Sequence, residues 1–298
     1  MSTGVTEQRS TVVGDEESFV ELEGVALNGK GDTRPAQRAP APPPLSDQEL
    51  AEAARRLEGR HPREIIAWAL DRFPAERVVV LTSLQAGGMA AADMAQQLDE
   101  RVRIVTIDTG RLPEETHAYL DTVRSHLGRR IEVIYPDAAA VGRFTSEHGP
   151  NSFYASVEQR LSCCHVRKVE PLGRLLTDVD CWMTGLRADR SDTRPAKVIE
   201  RDDEHGGIVK LNPVATWSES DARDYLKSRA FPLHPLYARG YRSIGCAPCT
   251  RAVDPGEHPR SGRWWWELGV EKECGIHRRP ESNGNHAQQR LGEEATRV

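Results

Sequence analysis

The sequence predicts an open, mostly parallel α/β sheet flanked by helices. Two observations carry that expectation. Short β-branched runs at Arg77–Thr82 and Val102–Ile107 are almost wholly apolar, as in strands covered on both faces. Helical segments alternate with them at the spacing of βαβ units, the pattern of a parallel sheet.

Met1–Ser46 reads as a disordered arm: it is acidic and Gly- and Thr-rich, and it ends in a proline run at Ala39–Pro44 that builds neither helix nor sheet. A helix is expected from Asp47, capped by Ser46 with Glu49 three residues on. A second is expected over Pro62–Arg72, with proline in its first turn. The first strand leads through Gly87-Gly88 into a helix over Met89–Leu98, and the second ends in Asp108-Thr109-Gly110. A helix over Pro113–Leu127, a strand over Ile131–Tyr135 and a helix over Val166–Leu176 follow. Cys181–Thr184 reads as a buried strand with Cys181 as packing, and Val198–Glu200 and Ile208–Leu211 as a hairpin. Ser218 caps a helix to about Arg229. From Phe231 on, prolines and glycines dominate; Phe231–Leu236, including His234, reads as packing. The expected domains are an arm over 1–46, an α/β domain over 47–262, and a mobile C-terminal segment over 263–298 that frays at its end.

At 298 residues and 38% hydrophobic content the chain can bury a sizeable core. No stretch approaches the roughly 20 apolar residues of a membrane helix, and no basic-then-apolar leader opens the sequence. Six cysteines are too few for a disulfide scaffold, so a reducing, cytoplasmic compartment is expected. A net charge of −5 argues against a dedicated nucleic-acid binder.

In open parallel sheets, ligands sit beyond the carboxyl ends of the strands. Ser83, Gly87 and Gly88 follow the first strand, and Asp108, Thr109 and Gly110 the second. Glycines admit close backbone approach to an anion, and a helix N-terminus offers free N–H groups. Taken singly, each reads equally as an ordinary strand-to-helix turn. Arg187, Arg190 and Arg194 add guanidinium forks suited to phosphate or sulfate oxygens, although Asp189 and Asp192 lie among them.

The cysteines divide unevenly. Cys163 and Cys164 are adjacent, Cys246 and Cys249 form C-x-x-C, and Cys274 stands alone. Four thiolates suit zinc or an iron–sulfur cluster. Adjacent residues must splay their sulfurs to reach one zinc, whereas a cubane presents separate irons, so a [4Fe-4S] cluster is preferred. Lys168, one turn after the pair, is placed either to face that cluster or to lie on the surface, and with His277 it joins the expected substrate-binding residues. Lys272, His277, Arg278 and Arg279 flank Cys274 and would lower its pKa from the usual value of about 8.5. Trp264–Trp266 reads as core anchors.

With these segments in hand, the chain resembles the iron–sulfur class of assimilatory adenylyl-sulfate reductases. The likeness is carried by Cys163–Leu172, Ser243–Arg251, Gly262–Glu267 and Glu273–His277, in that order. It implies an adenine-nucleotide α-hydrolase-like fold and a [4Fe-4S] cluster ligated by Cys163, Cys164, Cys246 and Cys249. It also implies Cys274 as nucleophile, thioredoxin as electron donor, and reduction of adenosine 5′-phosphosulfate (APS) to sulfite and AMP in sulfate assimilation and cysteine biosynthesis. The competing readings are a 3′-phospho-APS (PAPS) reductase, a tRNA-thiolating enzyme of the same fold class, and a zinc-bound interaction module. One departure stands in the first loop, where related pyrophosphatases carry Ser-Gly-Gly-x-Asp-Ser: here the text is Ala86-Gly87-Gly88-Met89-Ala90-Ala91, which fits the loss of ATP cleavage. Homo-oligomerisation is left open.

Overall fold

The structure is a computed structural model and describes residues 42–187 and 196–267. Six strands form one sheet in the order β3-β2-β1-β4-β6-β5. They are β1 (Val78–Leu81), β2 (Arg103–Ile107), β3 (Glu132–Ile134), β4 (Cys181–Met183), β5 (Ile199–Asp202) and β6 (Ile208–Leu211). All neighbouring pairs are parallel except β5 and β6, which make the expected hairpin at one edge.

Alternation along the strands separates two cores. Val78, Val80, Ile104, Cys181, Met183, Val209 and Leu211 face one side. There they pack with residues of α1 (Asp47–Leu57), α2 (Pro62–Arg72), α3 (Ala86–Leu98), α4 (Glu114–Leu127) and α8 (Glu219–Ser228). Val79, Val105 and Trp182 face the other side, against Leu172, Leu175 and Leu176 of α7 (Glu170–Leu176). Strands covered on both faces account for the unbroken apolar runs. Cys181 lies in this core with no exposed surface.

Local signals fix the helix starts. Ser46 and Glu49 form a reciprocal capping box on α1, and Ser218 and Asp221 form another on α8. Pro62 opens α2 behind His61.

Two helices depart from the expectation. α5 (Ala138–His148) was not foreseen: it buries no residue, and its signals are the Asp137 cap at its start and Gly149 after its end. The helix around the paired cysteines begins before them rather than after. Ser156 caps α6 (Val157–Cys164), a π-helical turn covers His165–Val169, and α7 continues the same helical path. Pro171 explains the irregular turn, because it has no N–H for the Arg167 carbonyl and its ring crowds that oxygen.

Candidate functional site

The strand order reverses between β1 and β4, and the loops after these two strands leave the sheet side by side. Each begins with a threonine turn. Thr82 Oγ1 accepts the Leu84 N–H at 2.9 Å, and Thr184 Oγ1 accepts the Leu186 N–H at 3.1 Å. Leu84 adopts a φ of +59°, a conformation costly for a branched residue and one that the buried turn holds in place. Gln85 then exchanges two hydrogen bonds with the Ile244 backbone, at 3.0 and 3.1 Å. Tyr237 Oη accepts the first helical N–H of α3, at Ala86. α3 starts at Ala86, earlier than the expected Met89, so Gly87 and Gly88 stand in its first turn, and that helix start is locked to the segment that carries the C-x-x-C pair.

A cavity opens over this point. Leu81, Ile107, Leu112 and Leu186 give it apolar walls, and Lys168, Arg187, Arg260 and Arg263 supply cationic groups. Of the residues expected to bind a nucleotide, Ser83, Gly87, Gly88, Thr109, Lys168 and Arg187 line it. Asp108 and Gly110 do not. The Asp108 carboxylate accepts the Gly110 N–H at 2.8 Å and lies 3.0 Å from His117 Nε2, so it shapes the turn. Arg190, Arg194, Cys274 and His277 lie outside the described residues.

Arg187 is buried, with its guanidinium 4.0 Å from the Glu219 carboxylate. Arg223 and Arg242 reach the same carboxylate. Glu219 thus anchors Arg187 at the cavity wall, where Lys168, Arg260 and Arg263 add positive charge that suits an anion.

The four cysteines meet. Cys163, Cys164, Cys246 and Cys249 line one small void behind the cavity, together with Arg111, Arg160, Arg167 and Lys168. None is in a disulfide. The C-x-x-C turn is closed by the Cys249 N–H donating to the Cys246 carbonyl at 2.9 Å, and Arg263 Nε donates to the Cys249 carbonyl at 3.2 Å. Burial, aided by the neighbouring Cys246, pushes the Cys249 thiol up to about 11. Burial raises the Cys163 thiol as well. Thiolate ligands must lose their protons, and a bound metal supplies the charge that makes this favourable. In donor type and number the void fits an iron–sulfur cubane. Among the described residues, no three His, Cys, Asp or Glu side chains are grouped to hold a single ion.

Cavity and void share a wall. Lys168 and Cys246 line both. Thr109 Oγ1 accepts the Arg111 N–H at 3.2 Å and shares a hydrogen bond with Cys246 Sγ, also at 3.2 Å. Of the two placements read for Lys168, surface or cluster-facing, the structure takes the inward one.

Residues 77–252 match the family described as the phosphoadenosine phosphosulfate reductase domain. The chain belongs to that family. An adenosine 5′-phosphosulfate reductase of Burkholderia cepacia is 49% identical over 229 residues, covering 77% of this chain and 89% of the relative. A protein of the same name from Allochromatium vinosum is 45% identical over 204 residues, covering 68% and 80%. The chloroplastic 5′-adenylylsulfate reductase 3 of Arabidopsis thaliana is 39% identical over 250 residues; this chain covers 54% of its length, and the match takes in 80% of this chain. The family's fold is shared by the phosphoadenylyl-sulfate reductase of Candida auris, with a TM-score of 0.59 at 24% identity, covering 70% of this chain and 98% of that one.

Several cavity-lining residues escaped sequence reading. Arg260 and Arg263 line the cavity, and their spacing across Ser261-Gly262, directly before the tryptophan run, was the available signal. Gln85, Thr116 and Thr184 carried none. The tryptophans also divide: Trp264 is fully buried, with Arg160 and Arg263 against its ring, whereas Trp265 is 38% exposed. Consecutive residues cannot all face one core, so Trp265 is no core anchor.

Proposed function

We propose that the protein reduces APS to sulfite and AMP, with Cys274 as nucleophile, a [4Fe-4S] cluster on Cys163, Cys164, Cys246 and Cys249, and thioredoxin as electron donor. The reading is supported above all by the cationic cavity at the sheet's switch point, which shares Lys168 and Cys246 with the four-cysteine void. The relatives named for this activity support it independently.

In the first step the Cys274 thiolate attacks the sulfur of the phosphosulfate. The bond from that sulfur to the bridging oxygen breaks, AMP leaves with the electron pair, and a Cys274 S-sulfonate remains. Arg187, Arg260 and Arg263, which line the cavity, stabilise the phosphate charge as AMP departs. Flanking Lys272, His277, Arg278 and Arg279 favour the thiolate of Cys274. A thioredoxin thiolate then attacks Cys274 Sγ, and sulfite leaves with the bonding pair. The second thioredoxin cysteine resolves the mixed disulfide. Both electrons come from the dithiol. A cubane on the four cysteines would supply charge and rigidity beside Lys168, with no change of oxidation state.

No helix among the described residues is long and apolar enough to cross a membrane. The thiol chemistry suits a reducing cytoplasm.

The test measures AMP and sulfite release from APS and PAPS in parallel, with thioredoxin and without ATP. APS turnover should dominate, and Cys274→Ser should abolish sulfite release. Intact-mass analysis should detect a sulfonate on Cys274 that thioredoxin removes. A Cys274→Ser protein releasing sulfite at the wild-type rate would overturn the mechanism. Faster turnover of PAPS would favour the PAPS reading.

A further inference from the structure

Thr116 sits in the first turn of α4, is 3% exposed and lines the cavity. Its hydroxyl lies 3.1 Å from Nε2 of His234, itself 1% exposed. The other ring nitrogen of His234 is committed: Nδ1 accepts the Leu236 N–H at 3.2 Å. A neutral imidazole that accepts at Nδ1 carries its proton on Nε2. The ring therefore donates to Thr116 Oγ1, and the threonine's own proton is left for an acceptor in the cavity. Tyr119 and Tyr237 hold the ring, with centroids at 4.8 and 6.1 Å, and the Tyr119 hydroxyl donates to the Pro232 carbonyl at 2.8 Å. Burial lowers the His234 pKa to about 4, opposed only by the charge of Glu115, so the ring stays neutral across the working range.

We infer that His234 is a positioning residue acting through Thr116: it orients the Thr116 hydroxyl as a hydrogen-bond donor to an acceptor atom on the nucleoside part of the substrate. The nucleoside follows from the apolar surroundings in the cavity lining, which include Leu81, Ile107 and Leu112. The sequence marked His234 only as packing. Its Nδ1 and Nε2 contacts instead join the segment after α8 to the cavity wall.

The inference rests on the nucleotide-binding reading above, and AMP is the probe that separates the two. AMP binding is measured by calorimetry on the full chain. Thr116→Val, which keeps the shape and removes the hydroxyl, should weaken AMP binding roughly 3- to 10-fold, the range of one neutral hydrogen bond. Thr116→Ser should retain it. In turnover, KM should rise with kcat unchanged. His234→Gln, whose amide places an N–H near the position of Nε2, should bind AMP nearly as wild type. His234→Ala should lose as much as Thr116→Val, and the double variant no more than either alone. A merely structural histidine would lower thermal stability without that non-additivity in AMP binding. Nitrogen-15 spectra should assign the His234 proton to Nε2. Unchanged AMP binding in Thr116→Val, additive losses in the double variant, or a proton on Nδ1 would overturn the relay. Wild-type protein that failed to bind AMP would instead overturn the nucleotide reading, and the inference with it.

Discussion

Gly87 and Gly185 meet backbone to backbone: a Cβ on Gly87 would lie 2.6 Å from the Gly185 carbonyl oxygen. Gly87 lies in the first turn of α3, which follows β1, and Gly185 in the loop after β4; β1 and β4 are neighbouring strands at the switch point of the sheet. A Cβ on Gly185 would in turn overlap the backbone of Gly88. The close approach sets the floor of the cavity, so both positions demand glycine for space, irrespective of φ.

Gly185→Ala should therefore force the β4 loop away from the first turn of α3. Overpacking of this kind costs about 1–3 kcal/mol, and the displaced floor should weaken AMP binding by about tenfold or more. Thermal unfolding and AMP calorimetry on one preparation check both effects. An unchanged affinity would show that loop and helix can part without disturbing the site.

Arg160 and Glu267 form a buried pair, with Nε 2.5 Å and a second nitrogen 3.1 Å from the carboxylate oxygens. Their side chains are 2% and 4% exposed. The pair ties α6, which ends in Cys163-Cys164, to the residues just before the Cys274 segment. Glu267→Ala strands a buried guanidinium and should destabilise the protein by about 3–5 kcal/mol. Urea unfolding measures this, and a loss below about 1 kcal/mol would contradict it.

If the four-cysteine void holds a cubane, then Cys163→Ser and Cys249→Ser should each strip iron and visible absorbance from anaerobically purified protein. Cys181→Ser should leave both intact, because Cys181 is in the core and not among the residues lining the void. Iron content and the absorption spectrum decide the matter. Colourless, iron-free wild-type protein would remove the cluster from the proposal.

His205 Nδ1 donates to Asp202 Oδ2 at 2.8 Å, and Trp182 Nε1 donates to the same oxygen at 2.8 Å. The hydrogen bond to the Asp202 carboxylate raises the His205 pKa above its ordinary value against the opposing pull of burial. A raised histidine pKa stabilises the fold fully below the unfolded value of about 6.5 and loses that contribution as pH rises through the folded value. His205→Gln should thus cost more stability at about pH 5.5 than at about pH 8.5. Denaturant titrations at both values test the direction, and an equal cost would refute the linkage.

Much of the fold was legible because its signals are local. The strand runs were readable from β-branched composition, and α1, α2 and α8 from Ser46, Pro62 and Ser218. α5 went unread although Asp137 caps it, because the segment buries no residue and its alanine-rich start was not weighed as a helix. The start of α6 was missed because the expected helix was placed after the cysteines, while Ser156 caps it before them. Of the residues read as substrate-binding, Ser83, Gly87, Gly88 and Thr109, chosen from strand-end position, and Arg187, chosen from its charge, line the cavity. Asp108 lies outside the cavity lining, and its carboxylate accepts from Gly110 and faces His117.

By itself the sequence determined the chemistry at hand: a parallel sheet, glycine loops at its strand ends, and two pairs of cysteines with Cys274 to spare. These follow from residue type and short spacing, which act through backbone preference and burial. Only the tertiary structure decided which of those parts meet. It set Cys163-Cys164 and Cys246-Cys249 around one void, turned Lys168 inward between void and cavity, and brought His234 against Thr116. Such meetings span long stretches of chain and depend on strand order and helix packing, which no local pattern encodes.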